Sequence, residues 1–130
     1  IIRLCDWFGL DQLICSTNTV DCFNPKAIQS SMGSIARVSC HYVSDLFSYI
    51  DFINKPIFKA EINGTSIYKN QLSEYGTYVF GSESHGISEN LKSKIKNKIG
   101  IPNFKKHNGA ESLNVATSVA IFFSEIYRSL

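Results

Sequence analysis

The segment Gly100–Ala120 reads Gly-Ile-Pro-Asn-Phe-Lys-Lys-His-Asn-Gly-Ala-Glu-Ser-Leu-Asn-Val-Ala-Thr-Ser-Val-Ala. It divides into three parts. Ile99 to Ile101 is a short apolar strand ending at Pro102, a polar loop containing Gly109 follows, and Glu111-Ser112-Leu113-Asn114 opens a long apolar helix predicted over Ser112 to Tyr127. Upstream, Tyr78-Val-Phe-Gly-Ser-Glu-Ser-His-Gly-Ile-Ser88 is a second strand running into a glycine-rich turn and a helix start. Two strand-to-loop junctions with polar groups at their mouths are the signature of a ligand site at the carboxyl end of a parallel sheet.

Working outward, the rest of the chain alternates in the same way. Ile1 to Phe8 reads as a helix stopped by Gly9. Leu13-Ile14-Cys15 is a strand, Asn24-Pro25 caps a helix that Gly33 closes, and Arg37 to Val43 is a strand. Ser44-Asp45 caps a helix reaching about Ile53, before Asn54-Lys55-Pro56. Ile57 to Ile62 is a strand turned by Asn63-Gly64, and Ser88 caps a short lysine-rich helix. Strands and helices at this spacing predict an α/β domain with a parallel sheet. With 130 residues, one domain is expected, with no linker or repeat.

The final helix carries two apolar stripes. Val115, Val119, Phe122 and Ile126 form one; Leu113, Ala116, Ala120, Phe123 and Tyr127 form the other. A helix apolar on two faces is buried on two sides. One face is expected on the sheet; the other meets either the domain's own interior or a second subunit.

Charge excludes little, because the net value is only +2. Its distribution says more: Lys92, Lys94, Lys96, Lys98, Lys105 and Lys106 are six of the 13 basic residues and have no acidic residue among them. If all six met RNA phosphates, binding would fall with a log–log salt slope near −4. Cys5, Cys15, Cys22 and Cys40 lack metal-ligand spacing and read as reduced, mostly buried thiols of a cytoplasmic protein. No metal site and no membrane span is expected.

Individually, the chemical residues are ambiguous. Gly81 and Gly86 leave room for backbone to approach a ligand, but the turn lacks the Gly-Lys-Ser/Thr of a phosphate loop and the dinucleotide spacing. Glu83 alone would be a solvated loop carboxylate. Glu111-Ser112 could be a helix-capping pair, which is compatible with a ligand site because a helix start also offers free N–H donors. His85 and His107 have no carboxylate partner by spacing and read as loop residues.

Together and in this order, these segments resemble the SpoU (TrmH-type) RNA 2′-O-ribose methyltransferases of the SPOUT superfamily. Gly81, Glu83, Gly86 and Ile87 match that family's Gly-x-Glu-x-x-Gly-hydrophobic motif, and Ile101-Pro102 with Ser112-Leu113-Asn114 matches its final motif. Ile1-Ile2-Arg3-Leu4-Cys5-Asp6-Trp7-Phe8-Gly9 resembles the tail of its first motif through Arg3 and Gly9. Asn24-Pro25-Lys26, Met32-Gly33-Ser34 and Arg37-Val38 extend the likeness over nearly all of the chain.

The resemblance implies a trefoil-knotted α/β domain, a homodimer with the last helix at its interface, and methyl transfer from S-adenosylmethionine to a ribose 2′-hydroxyl of ribosomal or transfer RNA. It implies cofactor contacts at Gly81, Glu83, Gly86, Ile101, Leu113 and Asn114, and catalytic roles for Arg3, Glu83, Ser112 and Asn114. The chain starts at Ile1, so the first strand and the Asn-containing loop that the first motif calls for are expected upstream, as is any accessory RNA-binding domain. Two other readings stand beside it: a non-catalytic RNA-binding relative or inactive fragment of the same fold, and an unrelated doubly wound domain for a nucleotide or redox cofactor.

Overall fold

In the computed structural model, which describes residues 1–69, 72–105 and 109–128, the chain forms two units, one of Ile1–Tyr49 and one from Ile50 onward. The first holds helix α1 (Ile2–Trp7), strand β1 (Gln12–Ser16), helix α2 (Pro25–Ser31), strand β2 (Ser39–Val43) and helix α3 (Leu46–Tyr49). Gly9 ends α1 in the left-handed region, at φ +72°, where a Cβ would be strained. Asn24 caps α2 by accepting a hydrogen bond from the Lys26 N–H at 3.0 Å, with Pro25 next to it. The sequence reading placed the stop after α2 at Gly33; Met32 is already left-handed there, at φ 50°.

β1 and β2 pair in parallel, with Leu13 opposite Cys40 and Cys15 opposite Tyr42. The strand expected from Arg37 begins two residues later. The N–H groups of Arg37 and Val38 both bond back to the Ser34 carbonyl, at 2.9 and 3.0 Å, and keep that stretch helical. Likewise the helix expected to reach Ile53 stops at Tyr49 and continues as a 3-10 turn, Ile50–Phe52. Asp45 still opens it, taking the Ser48 N–H at 3.2 Å.

Arg37 turns its side chain to Asp6 on α1. Its Nε donates to Oδ1 at 3.0 Å and its Nη2 to Oδ2 at 2.7 Å, while the Ser34 hydroxyl donates to Oδ2 at 2.7 Å. The Arg37 hydrogen bonds, then that of Ser34, hold the Asp6 carboxyl at about 2 rather than 3.8. A carboxyl depressed on folding stabilises the fold above its unfolded value, and this is lost as pH falls through the folded one. Acid unfolding should therefore steepen between 3.8 and about 2, and Asp6→Asn should remove that step. An unchanged acid profile in the variant would show the pair to be energetically silent.

The four cysteines are free thiols, with Cys5, Cys15 and Cys22 buried. Burial pushes Cys5 and Cys15 upward and Cys40 up to about 12, so these groups stay protonated and unreactive.

The second unit holds β3 (Ile57–Ser66), β4 (Thr77–Val79), helix α4 (Glu89–Lys94), β5 (Asn97–Gly100) and helix α5 (Val115–Ile126). Its three strands are parallel in the order β4-β3-β5. The sequence reading put a turn at Asn63-Gly64, but β3 runs through it. Ala60 and Thr65 both pair with Ile99, so residues 61–64 form a wide bulge and the chain rejoins the same partner strand.

The bulge lies hard against β5. A Cβ on Gly64 would come within 2.4 Å of the Ile99 backbone, and one on Gly100 within 2.1 Å of the Glu61 carbonyl oxygen. Asn-Gly here serves close backbone approach, because both halves of β3 find hydrogen-bond partners on β5.

α5 seals this unit by burying Val119, Phe122, Phe123 and Ile126. Val119, Phe122 and Ile126 of the first expected stripe are thus interior, together with Phe123 from the second, while Val115 is half-buried. Leu113 precedes the helix and is 47% exposed. Phe122 meets Tyr78 and Phe80 edge-on, with centroids 6.3 and 5.1 Å apart, the preferred geometry for aromatic pairs. Glu111-Ser112 was one expected cap for this helix. The observed cap is Asn114, whose Oδ1 accepts from the N–H groups of Ala116 and Thr117 at 2.9 and 3.2 Å. Asn114 is the residue directly before the first helical turn, where a side-chain oxygen reaches two free N–H groups. Ser88 stands at the start of α4, but its hydroxyl donates to Asn90 Oδ1 at 2.7 Å instead of capping the backbone.

Candidate functional site

The carboxyl ends of β4 and β5 open, with the start of α5, onto a cavity of about 460 Å³ in the second unit. Clefts of this size hold small molecules and cofactors. The expected residues Gly81, Glu83, Gly86, Ile101, Ser112 and Leu113 all line it, although they come from two separate motifs far apart in the sequence.

The first wall is the glycine turn after β4. Ser82 and Gly86 bond each other across it, N–H to carbonyl at 3.2 and 2.9 Å. A Cβ on Gly81 would fall 2.2 Å from the Gly86 carbonyl carbon, and Gly86 sits at φ +66°. The turn closes only because both positions lack side chains. His85 is fastened within the turn, its N–H to Ser82 Oγ at 3.1 Å and its Nδ1 to Ser84 Oγ at 2.8 Å. It is absent from the cavity lining, as expected of a loop residue.

The second wall is the start of α5. Glu83 Oε1 accepts a hydrogen bond from Asn114 Nδ2 and another, at 3.3 Å, from the Val115 N–H. The two motifs are thereby tied through one carboxylate, placed at a helix N-terminus where negative charge is favoured. Asn114 was expected among the cofactor contacts. Its side chain bonds the cap and Glu83, which makes it the post that holds the Glu83 loop. Asn114→Ala should lower stability by about 1 kcal/mol through the lost cap and loosen the Glu83 loop. An unchanged urea midpoint would show that the cap carries no energy.

Other lining residues were not among those expected at the site. Glu61 comes from the β3 bulge, Glu111 from the loop before α5, and Phe122 from the helix interior. Phe104 also lines the cavity and is 86% exposed. A lone aromatic in the polar run Asn103-Phe104-Lys105 was the available signal.

The lysine-rich segment is more committed than its charge suggests. Lys92 pairs with Glu89 and Lys94 with Asp51, each at 2.7 Å, and Lys96 Nζ donates to the Ser93 carbonyl at 2.8 Å. Lys106 and His107 lie outside the described residues. Lys98 and Lys105 are left with no ion pair among the described residues, so six simultaneous phosphate contacts are not expected.

Arg3 is exposed on α1 in the first unit and makes no hydrogen bond or ion pair among the described residues. No group of three or more His, Cys, Asp or Glu among the described residues is placed to hold a metal. No described helix is long and apolar enough to cross a membrane.

The sequence profile of the SpoU rRNA methylase family matches residues 1–124.

The chain belongs to the SpoU rRNA methylase family.

Among its relatives is the 23S rRNA (guanosine(2553)-2′-O)-methyltransferase RlmP of Bacillus subtilis (strain 168), 31% identical over 125 residues, which cover 93% of this chain and 49% of RlmP. A solved structure from Porphyromonas gingivalis, described as a TrmH-family RNA methyltransferase, is 33% identical, with a TM-score of 0.86 over 99% of this chain and 53% of its own. AviRb of Streptomyces viridochromogenes, solved with AdoMet, shares the fold at 23% identity and a TM-score of 0.85, over 99% of this chain and 53% of its own. The chain thus spans about half the length of these SpoU-family and TrmH-family proteins. The expected α/β SPOUT fold is the one these neighbours carry, and the cavity lies between the two SpoU motifs that bring Gly81, Glu83 and Leu113 together.

Proposed function

We propose that this chain is the methyl-transferring domain of an RNA 2′-O-ribose methyltransferase that uses S-adenosylmethionine and acts on ribosomal or transfer RNA. The observation that carries the reading is the cavity tied together by Glu83, Asn114 and Val115, with Gly81, Ile101 and Leu113 in its walls. Its lining suits the cofactor. Ile101, Pro102, Leu113 and Phe122 offer apolar surface to a purine ring, and Glu61, Glu83 and Glu111 offer negative charge to a cationic ligand. Glycines at 81, 86 and 100 keep backbone N–H and carbonyl groups accessible.

When bound, S-adenosylmethionine supplies an electrophilic methyl group. The protein must then align a ribose hydroxyl with it and stabilise the charge that develops on oxygen as the proton leaves. We assign that charge stabilisation to Arg3, whose guanidinium would act as an electrostatic clamp while the proton passes to phosphate or water. Ser112, whose hydroxyl has no hydrogen bond among the described residues and lines the cavity, is assigned to the reacting region, and Glu83 to holding its loop in place. A homodimer built on α5, a trefoil course for the last two motif segments and a cytoplasmic site of action belong to the same reading.

Calorimetric titration with S-adenosylmethionine tests the proposal. A Kd of about 1–100 μM, or roughly −8 to −5.5 kcal/mol, is expected. A folded protein giving no binding heat, and no protection of the Glu83 loop from hydrogen exchange, would overturn it.

A further inference from the structure

Phe104 is at odds with the economy of the fold. Its ring is 86% exposed, yet its neighbours are held in place. Asn103 Oδ1 accepts the Lys105 N–H at 2.9 Å, and Asn103 Nδ2 donates to the Ala110 carbonyl at 3.3 Å, across the loop. The stem of Lys105 packs where a Cβ on Gly109 would sit, at 3.2 Å. The ring therefore stands between two tethered neighbours, on the wall of the cavity that also includes Gly81, Glu83 and Leu113. Beside it Lys105 carries a cation with no ion pair among the described residues. Exposing a phenyl ring forfeits the stabilisation of burial, and the packing of this unit does not require the ring to be there.

We propose that Phe104 is a stacking platform for a base of the RNA substrate, with Lys105 taking an adjacent phosphate. This rests on the methyltransferase reading above and adds a residue that positions the RNA. The chemistry favours a nucleobase over a purely apolar partner. Bringing a ribose hydroxyl to a recessed methyl donor requires a nucleotide drawn away from its neighbours, which loses base stacking. An aromatic face at the cavity wall restores a stack, and a flanking lysine neutralises the phosphate that comes with it. Every base has such a face, so the platform places the nucleotide without itself choosing its identity.

The experiment uses a short fluorescein-labelled single-stranded RNA of mixed sequence, titrated into the protein saturated with S-adenosylmethionine. Phe104→Ala is expected to weaken RNA binding roughly 5- to 150-fold, the range for loss of one base–aromatic stack, and to change cofactor affinity far less than it changes RNA affinity. Phe104→Leu, which keeps apolar bulk without the aromatic face, should behave like Phe104→Ala. Phe104→Trp should restore binding, and RNA should quench the fluorescence of the added indole.

RNA binding unchanged in Phe104→Ala would overturn the platform while leaving the methyltransferase reading intact. Loss of cofactor affinity instead would assign the ring to the cofactor, and a change in oligomeric state would assign it to a protein contact; either result also overturns the proposal. If the unaltered protein binds S-adenosylmethionine but no RNA, the platform and the RNA half of the functional reading fall together, whereas failure to bind the cofactor is a failure of the functional reading that the calorimetric titration reports separately.

Discussion

Phe122→Ala should cost about 3–5 kcal/mol of folding stability, the range for emptying a well-packed aromatic site. Phe122 is 2% exposed, and it receives Tyr78 and Phe80 edge-on at 6.3 and 5.1 Å. Tyr78 is in turn stacked on Phe58, with centroids 5.3 Å apart, and its hydroxyl donates to the Ser73 carbonyl at 2.6 Å. The side chains around the site are therefore fixed from outside and have little freedom to collapse into the void, which puts the cost towards the upper part of the range.

The loss is large against the 5–15 kcal/mol that typically separates folded from unfolded chains. Phe122→Leu keeps most of the volume, so it should remain folded and cost much less. Because Phe122 also lines the cavity, both variants should weaken S-adenosylmethionine, the alanine more. The measurement is the shift in urea midpoint at constant slope, followed by calorimetric titration of whichever variants are folded. A cost below about 1 kcal/mol for the alanine would show that the aromatic cluster is not the core of this unit.

Arg3→Ala is expected to leave cofactor affinity unchanged and to reduce methyl transfer by about 10²–10³, the usual price of removing one donor that stabilises a developing oxyanion. The structure separates the two arginines of the first unit. Arg37 spends its guanidinium on Asp6 through two short hydrogen bonds, at 3.0 and 2.7 Å. Arg3, exposed on α1, has no such partner among the described residues.

Substitution of Arg37 should accordingly shift the acid unfolding profile and not the chemical step. Arg3→Lys retains the charge but loses the planar fork, and should recover only part of the rate. Single-turnover transfer from methyl-labelled S-adenosylmethionine to RNA, using the native protein with whatever sequence flanks this chain, reads the chemical step directly. Turnover within a few-fold of the unaltered protein would make Arg3 structural, and the charge-stabilising role would have to pass to another group.

Some of this was legible before any coordinates. The left-handed stop at Gly9, the Asn24-Pro25 cap and the parallel α/β class follow from local rules, because caps, glycine conformations and apolar spacing act within a few residues. Local rules failed where distant backbone intervened. Asn63-Gly64 is a strong turn signal, yet β5 supplies hydrogen-bond partners on both sides of it and the strand runs on. Glu111-Ser112 has the character of a capping pair, yet the cap is Asn114, the residue next to the first turn.

The candidate site divides along the same line. The chemistry of its residues, and the family they point to, could be read from Gly81, Glu83, Gly86, Ile101, Ser112, Leu113 and Asn114 in their order along the chain. Their assembly could not. That Glu83 reaches Asn114 and the Val115 N–H, 31 and 32 residues away, that Gly100 is needed beneath the Glu61 carbonyl, and that Phe104 stands exposed on the cavity wall are consequences of three strands and a helix packing together. The sequence by itself determined the class of fold and the helix ends at Gly9 and Asn24-Pro25, because those depend on neighbours along the chain. Only the tertiary structure decided which carboxylate anchors which helix, where a glycine is compulsory and which aromatic stands exposed on the cavity wall. Those depend on groups brought close in space, and a one-dimensional pattern carries no distance between them.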